Sequence, residues 1–440
     1  MPPRMQVVYP YRYMGSTEER LLLTQEELAA IRAPIESART LPKRAFVDPA
    51  FYRFEEEHLL RPSWLAVGFS VELDNGSCRP CTVLGVPVLL ARDRDGVGRA
   101  FHNVCPYDGC EAVLSPLKNV DEIVTPYHGW RYALDGRLLQ VPYWDGTPDA
   151  ASLDVAALDA DLVPIDCAEW FGTVFVRLTA QGDSFDRYLQ PVTDYCADLD
   201  LGRLAPGHDE HGRPRIDRLT IRANWKTVYE NYSPNVYHEN FVHAMYRRSP
   251  HTPRVSDGNK TYREVIGDNG FIGLDYDNHV GSSFFADSPF RPIQDRAGKP
   301  CRRNAIINVF PNWVVTVLNQ FARITINQPV AVDLCEQSIV TFFDSDQAAD
   351  PDPDLVVHRS RAARGGVVAR EEDNAIVESV QRARQSPAFD SHFYSHFWDR
   401  PHYALTNLLA DRIEAAQANR QTGHDRTRHP AERDHAARRH

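Results

Sequence analysis

The sequence predicts an α+β protein in which a small antiparallel β domain precedes a larger antiparallel sheet accompanied by helices. Three observations carry this expectation. Short apolar runs separated by tight-turn residues fill the stretch from about Trp64 to Leu178, the pattern of hairpin-connected strands. Ala305 to Phe310 and Trp313 to Phe343 alternate or are rich in β-formers, which suits a second sheet. Helical periodicity appears on either side of that second sheet.

In chain order, residues 17–40 hold helical material. Thr17-Glu18-Glu19 opens one short stretch and Thr24-Gln25-Glu26-Glu27 the next. Both resemble capping boxes, with an acceptor at the cap and acidic groups near the positive helix end. Val83 to Leu90, Arg92-Asp93-Arg94-Asp95-Gly96 and Arg99 to Val104 read as strand, tight turn and strand, and Asp135-Gly136 marks a further hairpin. Residues 214–224 read as a strand leading into a helix that starts near Trp225. The later β-rich runs break at Pro311-Asn312 and at Gln328-Pro329. The Asp/Pro-rich stretch 344–368 reads as a loop, followed by a helix from about Glu371 to Arg384. From about Ala418 the chain has almost no large apolar residues, which predicts disorder.

A chain of 440 residues suffices for two or three domains with proper cores. Its formal net charge of −11 argues against nucleic acid or an anionic membrane as the main partner. No apolar run resembles a signal peptide, and none has the length to span a bilayer. The eight cysteines are scattered, unlike those of a disulfide scaffold, so a cytoplasmic location is expected. No period of 20–50 residues repeats, which argues against solenoids and propellers.

The strongest chemical signal is the pair His238 and His243, set in Asn-Trp-Lys-Thr-Val-Tyr-Glu-Asn-Tyr-Ser-Pro-Asn-Val-Tyr-His-Glu-Asn-Phe-Val-His. Side chains five apart on an ideal helix diverge by about 140°. Either the helix is distorted between them or His243 lies on a following segment. Two neutral imidazoles leave a divalent iron needing one carboxylate, and a 2-His-1-carboxylate face keeps other positions open for oxygen and substrate. Asp373 is the candidate carboxylate. It shares a helix face with Ile376, Val377 and Val380, whereas Glu371 projects to the other side with Asn374, Ala375 and Glu378. A carboxylate on an apolar stripe is costly unless a cation or hydrogen bonds compensate it. Glu372 is the alternative ligand. Taken singly, each feature also has an ordinary reading: unrelated histidines near a helix end, and an acid answering the helix dipole.

Phe101-His102-Asn103-Val104-Cys105-Pro106, followed by the run from Pro126-Tyr127-His128-Gly129-Trp130 to Gly136, resembles the Rieske domain of Rieske non-haem iron oxygenases. Asn224 to His243 is similar to the iron-binding segment of their catalytic (alpha) subunits. Phe310-Pro311-Asn312 and the Glu-Asp segment ending Ser379-Val380-Gln381 are similar to the same catalytic domain. The resemblance runs from about residue 45 to 410. It implies an N-terminal helical arm over 1–44, a Rieske-like β domain over 45–178 and a mononuclear iron domain over 179–415. That domain would have a helix-grip (START/Bet v1-like) antiparallel sheet, and a disordered tail would occupy 416–440. It further implies Fe(II) held by His238, His243 and Asp373, with Asn231 and Asn235 orienting the ligands. The implied partners are O2, a small organic substrate and a reductase or ferredoxin, in a homo- or hetero-trimer.

The family's [2Fe–2S] cluster is held by Cys-x-His, about seventeen residues, then Cys-x-x-His. The corresponding positions here are Cys105, Tyr107, Thr125 and His128. Cys105 and His128 remain as residual cluster positions, while Tyr107 and Thr125 are lost ligands, so a normal cluster is not expected. Cys110 and the pair Cys78-Arg-Pro-Cys81 offer a zinc or alternative iron–sulfur site, with ordinary packing as the competing reading. Asn235 stands where the family carries a carboxylate that bridges to a neighbouring subunit's Rieske histidine, and an amide does not ionise. Three functions follow: a cluster-free mononuclear iron oxygenase, which is the favoured reading; a catalytic or structural subunit beside an intact Rieske partner; and a non-enzymatic small-molecule binder. Tyr237, Trp313, Phe321 and Phe342 are apolar enough to line a pocket, though each also suits ordinary core.

Overall fold

The computed structural model describes residues 22–148, 150, 153–232, 236–244, 254–276, 288–301 and 303–428, with side chains to 420. The first lobe is an antiparallel sheet ordered Leu65–Phe69, Thr173–Arg177, Pro164–Trp170, Gly98–His102, Val86–Arg92, Ser77–Val83 and Leu117–Lys118. A small three-stranded sheet of Glu122–Val124, Arg131–Ala133 and Leu138–Gln140 sits beside it, with Asp135-Gly136 in its second turn as expected. The Thr24/Glu27 capping box is formed at the helix Gln25–Ile31. The Thr17 box lies outside the described residues.

The second lobe is a larger antiparallel sheet. Its strands run Leu204–Pro206, Leu334–Asp344, Ala322–Ala331, Trp313–Val317, Asn304–Val309, Ile272–Tyr276 and Tyr262–Ile266, with Asp217–Ile221 also paired to Leu334–Asp344. Gln328-Pro329 does not break the run. Both residues lie inside Ala322–Ala331, where a register shift beside Pro329 absorbs the missing N–H.

Strand alternation gives this sheet two unlike faces. Ala305, Ile307, Val309, Trp313, Val315, Ile324 and Phe342 form an apolar face, which packs on Trp64, Phe69 and Phe175 of the first lobe. Trp313 is fully buried between Trp170 and Phe175, and Phe171 stacks on Phe342. Asn312 stitches the lobes together: its Oδ1 accepts from the Ala66 N–H at 3.0 Å and its Nδ2 donates to the Ala66 carbonyl at 2.8 Å. The opposite face presents Asn308, Thr316, Arg323, Thr325, Asn327, Gln337 and Thr341, all buried.

A long helix, Pro353–Ala383, crosses that polar face. It starts well before Glu371, inside the stretch that reads as a loop. The Asp/Pro composition there is capping chemistry: Asp352 accepts from the Asp354 N–H, and Pro353 occupies the first turn. Gly366 is tolerated mid-helix because a Cβ there would lie 2.4 Å from the Arg323 Cζ. The buried stripe also differs from expectation. Asp373 shares it with Arg370, Asn374, Val377 and Gln381, whereas Ile376 and Val380 are exposed. A second long helix, Arg400–Arg428, continues through the first part of the expected disordered tail. Ala416 packs on the core there, and Gln417 accepts from the Leu23 N–H. Residues 429–440 lie outside the described part. No helix among the described residues is long and apolar enough to cross a membrane.

Buried polar contacts lock the helix Trp225–Asn231 to its neighbours. Lys226 Nζ donates to Glu55 Oε2 at 2.6 Å, with both side chains fully buried, and Trp225 Nε1 donates to the same oxygen. Gln381 accepts from the Asn224 N–H and the Thr227 hydroxyl, and donates to the Phe46 carbonyl. Arg384 and His402 converge on Glu230, at 2.7 and 3.3 Å. His392 lies beside His402, and burial first, then that neighbour, push its imidazole down to about 4.

Two outcomes are expected. Lys226→Met, which leaves the Glu55 carboxylate buried without its cation, destabilises by about 3–5 kcal/mol, and the Glu55→Leu/Lys226→Met double variant recovers most of that loss in urea unfolding. The second concerns pH. The folded state keeps His392 neutral below the unfolded value of 6.5, so the unfolded state binds more protons between about 6.5 and 4 and stability falls as pH falls. His392→Gln flattens this slope, removing about 2–3 kcal/mol of the acid-dependent loss by pH 4.5.

Candidate metal centre

The histidine segment is built from capped short helices. Asn224 Oδ1 accepts from the Lys226 N–H and starts Trp225–Asn231. At the other end Asn308 Nδ2, from the polar face of the sheet, donates to the carbonyls of Tyr229 and Tyr232. These are carbonyls that the helix end leaves unpaired. After residues that lie outside the description, one turn of helix, Glu239–Val242, separates the two histidines. His238 is its N-cap, and His243 its C-cap with extended backbone (φ −81°, ψ 117°). Of the two options for a five-residue spacing, the second therefore holds: His243 has left the helix. Arg254 clamps the turn from outside, with Nε and one terminal nitrogen on the Glu239 carboxylate at 2.8 and 3.0 Å and its guanidinium over the Tyr276 ring.

The long helix brings Asp373, only 5% exposed, against both rings. Its Oδ1 lies 3.2 Å from His238 Nε2 and 3.5 Å from His243 Nε2. Adjacent ligands on an octahedral ion with bonds of about 2.1 Å are separated by about 3 Å, so these spacings suit a shared cation. Among the described residues the carboxylate oxygen makes no aligned hydrogen bond, despite two nitrogens this close. Burial opposes ionisation of Asp373, but His238, His243 and Arg370 outweigh it and hold the carboxyl below the usual carboxylate range. Among the described residues, this is the group of three His, Cys, Asp or Glu side chains whose ligand atoms all lie within 4.8 Å.

Glu372 is not part of the triad. Its Oε2 lies 3.0 Å from His243 Nδ1, and its Oε1 accepts from the Ala244 N–H at 3.2 Å. With Nδ1 committed to that carboxylate, Nε2 presents its lone pair toward Asp373. Asn231 ends its helix with a buried Nδ2 that finds no partner among the described residues. Asn235 lies outside the described residues. Arg370, one turn before Asp373 with its NH1 4.0 Å from Oδ2 and its guanidinium over the Tyr232 ring, gave no signal in the sequence.

The Rieske-like loops are intact as backbone. The Gly109 N–H donates to the Cys105 carbonyl and the Gly129 N–H to the Thr125 carbonyl, closing two facing turns. Cys105 and Thr125 are buried, and the Thr125 hydroxyl has no partner. Tyr107 stacks on Trp130 with centroids 5.0 Å apart, and its ring edge meets His128 and Trp144. His128 Nδ1 lies 2.6 Å from Asp108 Oδ2. Cys78 and Cys81 face opposite sides of one strand and pack in different cores, so they do not chelate together. Burial pushes their thiols up, to about 12 and about 11. Of the possible pocket residues, Trp313 and Phe342 belong to the inter-lobe core and Phe321 packs on Phe343. Tyr237 is half-exposed and stacks on Trp398.

Comparison with known proteins agrees with this architecture. Residues 204–415 match the ring hydroxylating alpha subunit (catalytic domain) family, and residues 63–153 match the Rieske [2Fe-2S] domain family. The chain is 27% identical over 363 residues to the carnitine monooxygenase oxygenase subunit of Escherichia coli (strain K12), covering 80% of this chain and 86% of that one. It is 26% identical to the chloroplastic choline monooxygenase of Arabidopsis thaliana, covering 83% and 81%. Among solved structures, a quaternary ammonium Rieske monooxygenase with L-carnitine superimposes with TM-score 0.66 at 20% identity, covering 88% of this chain and 98% of that one. Naphthalene 1,2-dioxygenase from Rhodococcus sp. gives 0.65 at 16%, covering 90% and 97%.

If Glu372 orients His243, Glu372→Ala lowers Fe(II) or Co(II) affinity by about 10–100-fold while Glu372→Gln retains part of it. Metal titration followed by Co(II) absorption reads this out, and equal affinity in all three proteins counts against it.

Proposed function

Because the chain belongs to the Rieske-type ring-hydroxylating oxygenase alpha-subunit family, we propose that it uses a single Fe(II), held by His238, His243 and Asp373, to oxidise a small polar organic molecule with O2. The observation that carries this reading is the convergence of two imidazole nitrogens and one buried carboxylate oxygen at ligand spacing. Bound Fe(II) supplies the redox chemistry and the open positions for oxygen and substrate. The chain's own groups do the rest. Glu372 holds the His243 tautomer, Arg254 and Glu239 keep the histidine turn closed, and the long helix shields Asp373 from water. Asn231 and Asn235 are assigned to orienting the centre.

Quaternary ammonium compounds, the substrate kind named for the relatives above, are the proposed class. The polar face of the sheet supports this over an aromatic hydrocarbon. Buried Thr316, Thr325, Asn308 and Gln337 each keep a polar atom there without a partner among the described residues, and such atoms favour a hydrogen-bonding or hydrated occupant.

The same proposal includes an outside source of electrons. Cys105, Tyr107, Thr125 and His128 offer one thiol and one imidazole where a Rieske cluster takes two of each. Asp108 engages the remaining imidazole, and the Tyr107 ring packs on Trp130. These residues do not fit the cluster. A second reading, a subunit of a hetero-trimer whose intact partner carries the cluster, is favoured by the preserved loop backbone around the substituted positions.

Anaerobic purification with Fe(II) is expected to yield about one iron per chain without Rieske absorption or acid-labile sulfide, and none with His238→Ala. About three irons with sulfide would overturn the cluster-free reading, and no iron at all would remove the oxygenase assignment.

A further inference from the structure

The polar face of the large sheet carries more positive charge than its acidic groups balance. Arg254 is matched by Glu239. Arg323 is not matched in this way: its Nε donates to the Thr341 hydroxyl and a terminal nitrogen to the Ala362 carbonyl, both neutral acceptors. The side chain is nonetheless buried, between the sheet and the long helix. Arg370 is buried too. Its nearest carboxylate oxygen is that of Asp373, 4.0 Å away, and the same carboxylate serves two imidazoles. Arg370 and two imidazoles therefore share one carboxylate, and Asp217, which acts on Arg323 at longer range, is itself held by Arg215. Buried charges of this kind call for an anion, and guanidinium is the side chain best matched to a carboxylate. Burial, and then the like charge of Arg370, push Arg323 down to about 10 against the opposing pull of Asp217 and Tyr276.

The placement is ordered along one stripe of the helix. Ala362 and Gly366 meet Arg323, Arg370 follows one turn later, and Asp373 follows that. Gly366 to Asp373 is seven residues, a rise of about 10 Å. We propose that Arg323 and Arg370 form a carboxylate-binding subsite beside the metal centre, so that the molecule oxidised carries an anionic carboxylate as well as the group that reacts. This rests on the oxygenase reading of the same site and narrows its substrate to small zwitterions, with the carboxylate directed away from the metal and toward Arg323. Choline-like cations without a carboxylate would leave both guanidinium groups unmatched.

The test compares L-carnitine with its methyl ester, and glycine betaine with choline, by calorimetry on the full-length protein, both metal-free and Fe(II)-loaded under anaerobic conditions. The carboxylate member of each pair is expected to bind at least about ten-fold more tightly. Arg323→Gln and Arg370→Gln should each remove that preference, and Arg323→Lys should keep part of it. Gly366→Ala, whose methyl displaces the Arg323 guanidinium, should weaken it without deleting a charge. Wild-type protein that shows no preference, or that binds none of the four, overturns the proposal. So does a preference that survives in Arg323→Gln protein with unchanged circular dichroism, because Arg323 would then only dock the helix. Iron stoichiometry is measured on the same samples. A carboxylate preference without iron binding would defeat the oxygenase reading and leave the subsite standing; iron binding without the preference would do the reverse.

Discussion

A buried carboxylate that must meet two imidazoles organises the catalytic lobe. Asp373 lies on the buried face of a 31-residue helix and is almost wholly removed from solvent. An ionised group there is tolerable only with positive partners at hand. To supply them, the long helix has to cross the segment that carries His238 and His243 at a fixed height. Gln381 sets that height by binding Asn224, Thr227 and the Phe46 carbonyl at once. The Arg384–Glu230–His402 cluster repeats the fixation one turn later. The polar network thus positions Asp373 against the histidine turn in the way a supporting shell positions a metal site.

The large sheet serves two purposes through one alternation. Alternate residues on its central strands are apolar and pack on the first lobe, while Asn308, Thr316, Arg323, Thr325, Asn327 and Gln337 stand among Ile306, Val314 and Ile339 on the other face. Asn308 shows how the faces cooperate. It projects from the sheet to take up the last carbonyls of the helix before the histidine turn, so the sheet register and the position of His238 are coupled.

Apolar packing holds the loops of the first lobe in place. Cys105, Trp130, Tyr132 and Leu134 sit in an apolar core with Leu89 and Ile123. Tyr107 adds an aromatic stack on Trp130. Fold and cofactor are separable here because burial of apolar surface stabilises the first and donor atoms determine the second.

The sequence by itself determined the kinds of element and the chemistry available. Hairpin turns, alternating strands, the Thr24 capping box and the Asn224-capped helix are local patterns, and each forms as expected. His238, His243 and Asp373 were also legible, through residue type, spacing and the resemblance of the surrounding motifs. Other features were not. The loop expected over 344–368 is largely helix, because Asp352 and Pro353 cap it and because Gly366 is needed under Arg323, a contact between distant strands and helices. Glu372 and Asp373 both offer a carboxylate by sequence, but Glu372 meets His243 Nδ1 and the Ala244 N–H while Asp373 meets both Nε2 atoms, a difference set by the height at which the helix crosses the turn. Trp313 and Phe342 could have lined a pocket by their composition, but strand register turned them to the opposite face. Arg370 and Arg323 had no signal at all. Their meaning lies in which charges surround them after folding, and charge balance in a buried site is a property of tertiary structure alone.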